Sequence, residues 1–330
     1  MKNISVLGAG AWGTALAHIA ASNGKKVVLW AREPELIGEI ETKRRNTLFL
    51  PDVDLNENIT PTNDQARAVS KAEAVLMVIP AQYLRASCQA LRPVWPAGLP
   101  AVICAKGIEQ KTGALLSEIL AEELPQAEIA VLSGPTFAEE AAQNKPTALT
   151  LACGNEALGK ELVATLGTPT FRPYYSSDVI GVQIGGAVKN VMAIAAGIVA
   201  GKKLGDNARA ALITRGLAEI SRLAAALGGQ TYTLMGLSGL GDLVLTANST
   251  QSRNFTVGLE LGKGRGLSDI LSEKRTVAEG VFTAAAVLER AARAGVEMPI
   301  CEGLSRIMNE NVPVDDVIQS LFARPFKNEN

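Results

Sequence analysis

Gly8-Ala9-Gly10-Ala11-Trp12-Gly13 is a G-x-G-x-x-G element set between a short apolar run, Ile4–Leu7, and a helical pattern beginning near Trp12. In that setting the first glycine permits a tight turn, the second lets backbone approach a pyrophosphate, and the third lets the helix pack on the strand. Free N–H groups at the positive end of the helix complete an anion site. The spacing predicts a dinucleotide-binding turn formed by Gly8, Gly10, Ala11, Trp12 and Gly13. The next strand, Lys26–Trp30, runs into Ala31-Arg32-Glu33. An acidic residue at that end suits the ribose hydroxyl of NAD, whereas Arg32 suits a 2′-phosphate through a forked contact. Arg32 also reads as a solvated helix-start residue, and Glu33 beside it leaves NAD open. NADP is the favoured reading, with dual use.

Lys189 is the lone charge in the apolar stretch Val179–Gly201, with Gly185 and Gly186 one turn earlier on roughly the same face. Their missing side chains would leave room for a flat ring or small substrate near the ammonium. Burial lowers a lysine's pKa towards values useful for acid–base work. A snorkelling or salt-bridged lysine is the alternative. Two further groups follow predicted strands: Lys106 after Ala101–Cys104, and Ser133-Gly134-Pro135-Thr136 after Ile129–Leu132. Ligands in doubly wound sheets bind beyond such carboxyl ends. Lys106 also fits a surface cation, and Thr136-Phe137-Ala138-Glu139 fits a capping box, which is compatible with a ligand contact.

Gly236–Asp242 is a second glycine-rich turn, and Asp242 and Thr246 would share a face if helical. Ser252-Arg253-Asn254 combines a forked cation with hydroxyl and amide donors, as a phosphate requires, or else marks a helix start. Thr276-Val277-Ala278-Glu279 fits another capping box.

Composition limits the chemistry available. The single histidine, His18, sits mid-helix and reads as a packed side chain, so mechanisms built on histidine clusters are excluded. Cys88, Cys104, Cys153 and Cys301 include no C-x-x-C pair, which argues against zinc or a disulfide scaffold and suits a reducing cytoplasm. A net charge of −1 argues against nucleic acid as a partner. The first residues lack a leader's apolar core and read at once as a strand. Val179–Gly201 is long enough to cross a membrane, but Lys189 at its middle would cost about 2.5–3.5 kcal/mol there. A buried helix is the better reading.

At 330 residues, two domains are expected. Short β-rich runs alternate with amphipathic segments up to about residue 177, which predicts a doubly wound, mainly parallel α/β sheet of Rossmann type over residues 1–177. Further strands are expected at Ala74–Ile79, Thr147–Leu151 and Thr170–Tyr174, with Arg44–Thr62 as one long irregular stretch. Alanine-rich helical patterns then dominate: Val179–Ala200, Ala208–Leu227, Val277–Ala294 and Val314–Leu321. Residues 178–330 are therefore expected to form an all-helical substrate-binding domain.

Five stretches together resemble the bacterial-type NAD(P)-dependent glycerol-3-phosphate dehydrogenases, over nearly the whole chain. They are Gly8–Leu16, Leu132–Ala138, Gly185–Val191, Gly239–Leu243 and Gln251–Asn254. The resemblance implies reduction of dihydroxyacetone phosphate to sn-glycerol 3-phosphate with NADPH or NADH, in a cytoplasmic homodimer supplying phospholipid synthesis. It implies Lys189 as the proton donor or acceptor, supported by Lys106 and Asp242. Lys106, Gly134, Thr136, Lys189, Asp242, Ser252, Arg253 and Asn254 match substrate-contacting positions. Ala11, Trp12, Arg32, Lys106, Ala138, Arg253, Val277 and Glu279 match cofactor-contacting ones. Position 11 departs from the family's usual serine, which removes a hydroxyl contact to the diphosphate but keeps the backbone N–H.

Overall fold

The computed structural model describes residues 1–273 and 278–325. Its contacts divide into two compact units: Met1–Gly107 with Ala114–Gln183, and Ile108–Gly113 with Ile184–Asn330. The division thus falls inside the long apolar helix, a few residues beyond the expected limit at 177, and a short piece of the first half groups with the second.

The first unit is built on eight strands. They are β1 (Asn3–Leu7), β2 (Lys26–Trp30), β3 (Ile59–Thr62), β4 (Ala74–Met77), β5 (Pro100–Ile103), β6 (Glu128–Ser133), β7 (Thr147–Cys153) and β8 (Phe171–Ser176). Their order across the sheet is β3-β2-β1-β4-β5-β6-β7-β8. All pairs are parallel except β6 with β7. Successive residues of the central strands bury on opposite faces. Leu76 packs with Leu16, Ile19 and Ile40, while Val75 and Met77 pack with Leu84, Leu91 and Ile119. A period-2 apolar strand covered on both sides by helices is what makes the sheet doubly wound.

One strand escaped the sequence pattern. β3 lies within the stretch expected to be irregular, and Pro61 opposite Leu29 explains why. Proline lacks a ladder donor and is tolerated at a sheet edge, which is where β3 sits.

In the second unit the expected helices form at Val179–Gly201, Asp206–Ala226, Glu279–Arg293 and Val314–Phe322. Shorter helices form at Asp242–Ala247, on which Asp242 and Thr246 share a face, and at Arg253–Gly262, as the helix-start reading of Ser252-Arg253-Asn254 allows. Others form at Leu267–Ser272 and Pro299–Asn309, which no sequence pattern marked. Val179–Gly201 is, among the described residues, the one helix long and apolar enough to span a membrane, but 83% of its most apolar window is buried inside the protein.

Candidate active site

β1, β2, β4, β5 and β6 run parallel, so their carboxyl ends share one edge of the sheet. Neighbours of β1 are reached in opposite directions along the chain, which places the topological switch between β1 and β4. The glycine turn lies there. Gly8 has φ +118°, and a Cβ on it would stand 2.6 Å from the Val78 carbonyl oxygen just past β4. A Cβ on Gly13 would collide with the Gly8 carbonyl, whereas Gly10 faces open space. No side chain caps the helix Ala11–Ser22, so Ala11 and Trp12 begin it with an open backbone end. Each glycine therefore does what its position demands, and the turn fits the diphosphate of a dinucleotide. Trp12 is half-buried, its ring 6.4 Å from that of Phe171.

Arg32 follows β2, with its side chain 77% exposed and Nη2 2.8 Å from Glu33 Oε1. Lys106 follows β5 and donates from Nζ to the Gly134 carbonyl at 3.1 Å. Gly134 must be glycine, because a Cβ would lie 2.7 Å from Leu149 Cα. The expected capping box at Thr136 does not form. Phe137 occupies the N-cap position of the helix Ala138–Ala142 and supplies no side-chain cap, so Glu139 falls one position too early to reach back. Instead Thr136 Oγ1 is buried without a partner among the described residues, a hydroxyl that a ligand would satisfy. Ala138 opens the same short helix.

In the second unit Lys189 is buried, and its Nζ lies 2.9 Å from Asp242 Oδ1 and donates to Thr246 Oγ1 at 2.6 Å. Thr246 in turn donates to Asp242 Oδ1 at 3.2 Å. A π-turn, Leu237–Gly241, leads into the helix Asp242–Ala247 and puts both residues on one face. Thr246 was seen from sequence only as a neighbour of Asp242; its i+4 spacing was the available signal. One expectation about the surroundings of Lys189 needs correction. The Gly185 side does not leave room for a substrate, since a Cβ there would lie 2.5 Å from the Ser238 carbonyl and 3.1 Å from Leu234. Of the two readings of Lys189, the salt-bridged alternative describes its contact with Asp242.

Ser252 serves as the N-cap of Arg253–Gly262, accepting from the Phe255 N–H at 3.2 Å. Arg253, at the first position of that helix, is exposed and has no ion-pair partner among the described residues. Asn254 is buried, and its Oδ1 accepts from the Gly280 N–H at 3.0 Å. That bond caps the helix whose first residue is Glu279. Val277 and the capping residue expected at Thr276 lie outside the described residues. Among the described residues no group of histidines, cysteines or carboxylates is arranged to hold a metal.

Residues 3–159 match the family model for the NAD-dependent glycerol-3-phosphate dehydrogenase N-terminus, and residues 178–319 that for its C-terminus. The chain is 54% identical, over 99% of its length and 98% of the relative's, to the glycerol-3-phosphate dehydrogenase [NAD(P)+] of Parvibaculum lavamentivorans. It is 56% identical to that of Rhodospirillum rubrum, over 100% of this chain and 94% of the relative. A crystal structure of glycerol-3-phosphate dehydrogenase from Coxiella burnetii superimposes with a TM-score of 0.94 at 39% identity, covering 98% of this chain and 99% of that one.

Proposed function

The chain belongs to the NAD-dependent glycerol-3-phosphate dehydrogenase family, and from that premise we propose how its residues divide the work. It is an NAD(P)-dependent oxidoreductase that interconverts dihydroxyacetone phosphate and sn-glycerol 3-phosphate. A bound nicotinamide supplies or accepts the hydride; the protein supplies position and protons. Gly8, Gly10, Ala11, Trp12 and Gly13 hold the diphosphate, with Arg32 directing preference towards NADPH. Ala138, Arg253, Val277 and Glu279 complete the cofactor contacts carried over from the family.

Lys189 holds the proton that passes to the substrate's C2 oxygen during reduction, and takes it back during oxidation. A cation fixed in place before reaction stabilises charge developing on that oxygen at no cost of reorganisation. Asp242 keeps the amine charged and, with Thr246, fixes its direction. Lys106, anchored by Gly134, is a second cation for the substrate, and Thr136 offers its unpartnered hydroxyl. Arg253, with Ser252 and the amide of Asn254, grips the phosphate, so that binding energy away from the reacting carbon positions it. The reading extends to a cytoplasmic homodimer supplying phospholipid synthesis, in keeping with the family resemblance and with four free thiols.

The observation that carries this assignment is the buried Lys189–Asp242–Thr246 cluster. Its test is NADPH oxidation by dihydroxyacetone phosphate in Lys189→Met, where loss of a general acid should lower kcat by about 10²–10⁴-fold with unchanged NADPH affinity. Near-normal turnover would remove Lys189 from that role.

A further inference from the structure

The stretch between the helix Pro34–Lys43 and β3 carries a residue to which the reaction assigns nothing. Asn46 is completely buried. Its Nδ2 donates to the Ala9 carbonyl at 2.9 Å and to Thr14 Oγ1 at 2.8 Å, while its Oδ1 accepts from the Phe49 N–H at 3.1 Å. Thr14 Oγ1 also donates to the Ala9 carbonyl at 3.2 Å. Both amide protons of Asn46 and one of its acceptor sites are thus engaged, on the buried side of the glycine turn. The stretch is held again further along, where the Asn56 N–H donates to His18 Nδ1 at 3.3 Å, on the helix that the turn begins.

The consequence follows from peptide geometry. The Ala9 carbonyl and the Gly10 N–H belong to one planar trans peptide and point in opposite directions. Two donors drawing the carbonyl inward therefore turn the Gly10 N–H outward, on the residue whose Cβ position is open space.

We propose that Asn46 is a positioning residue for dinucleotide binding, acting through the Ala9 carbonyl to aim the Gly10 N–H at the diphosphate. The inference rests on the reading of the glycine turn as the diphosphate site. Asn46 touches no ligand itself; together with Thr14 it fixes the rotation of the turn's central peptide and so sets its affinity.

The experiment is titration of the ligand-free protein with NADPH, followed by nucleotide fluorescence, alongside thermal unfolding and steady-state kinetics. Losing hydrogen bonds worth about 0.5–1.5 kcal/mol each should raise the NADPH Kd of Asn46→Ala by about 5- to 100-fold. With both substrates saturating, kcat should stay within about twofold, because Lys189 and its partners are untouched. Thr14→Val, which keeps the direct Asn46 to Ala9 bond, should show a smaller rise of about 2- to 10-fold. A purely structural role for Asn46 would lower Tm and the active fraction without changing Kd per folded molecule, and that result overturns the proposal. Should Asn46→Ala fail to fold, an unchanged Kd in Thr14→Val overturns it. Gly10→Val separates the two readings: if it abolishes NADPH binding while Asn46→Ala leaves Kd unaltered, the diphosphate site stands and the role of Asn46 falls. If neither variant affects binding, both fall.

Discussion

Lys189 Nζ stands 2.9 Å from Asp242 Oδ1, with the aspartate side chain 1% exposed and the lysine 9%. Neither charge is tolerable there alone, since removing one partner of a buried pair costs about 3–5 kcal/mol. Asp242→Asn should therefore lower both Tm and kcat. Thr246→Val, which removes the 2.6 Å bond from Nζ and the 3.2 Å bond to Asp242 but keeps the charge pair, should lower kcat with a much smaller loss of Tm. Denaturation and turnover measured on the same preparations check this; an Asp242→Asn enzyme as stable as wild type would contradict it.

Arg253 is exposed and without an ion-pair partner among the described residues, so it is available to a phosphate. A hydrogen bond to a charged group is worth about 1.5–3 kcal/mol, which predicts a rise of about 10- to 150-fold in the KM for dihydroxyacetone phosphate in Arg253→Ala. Glyceraldehyde or dihydroxyacetone, which lack the phosphate, should be used equally well by both proteins. An unchanged KM would place the phosphate elsewhere.

The Arg32–Glu33 pair is solvent-exposed, and such pairs contribute about 0–1 kcal/mol, so a 2′-phosphate can compete for the guanidinium. Arg32→Ala should reduce kcat/KM for NADPH while leaving that for NADH nearly unaltered. Equal losses with both cofactors would deny Arg32 a part in discrimination.

Glu219 is buried and accepts from the Ile300 N–H at 2.8 Å and, more weakly, the Cys301 N–H at 3.4 Å. Burial is the dominant cause raising its pKa from 4.5 to about 7. The folded state then binds the proton more tightly than the unfolded state. Stability from this group is complete below about pH 4.5, falls as pH rises towards about 7, and is level above that. The total is about 3 kcal/mol from the size of the shift. Urea unfolding midpoints across that range should decline with pH, and Glu219→Gln should flatten the slope.

All four cysteines are buried as free thiols. Burial pushes Cys88 up to about 12 and raises Cys104, Cys153 and Cys301 as well. Because thiolate is the reactive form, a thiol reagent at neutral pH should modify them only at the rate of unfolding. Rapid reaction of any thiol in the native enzyme would contradict this placement.

Sequence alone determined those features that a few neighbouring residues encode. The G-x-G-x-x-G turn is such a feature, because the positive φ of Gly8 and the contact of Gly13 with the Gly8 carbonyl lie within one strand–turn–helix unit. Most strands were legible from short apolar runs, and Lys189 stood out as a charge in an apolar helix. β3 was not legible, because an edge strand tolerates the proline that argues against it. What tertiary structure alone decided is pairing. The bond from Lys189 to Thr246 joins residues 57 apart, and that from Asn46 to Ala9 joins residues 37 apart. Neither follows from periodicity, which records which face a side chain occupies and not what it meets there. The same limit explains Thr136, where helix onset shifted by one residue leaves a hydroxyl unpartnered that local spacing had assigned to a cap.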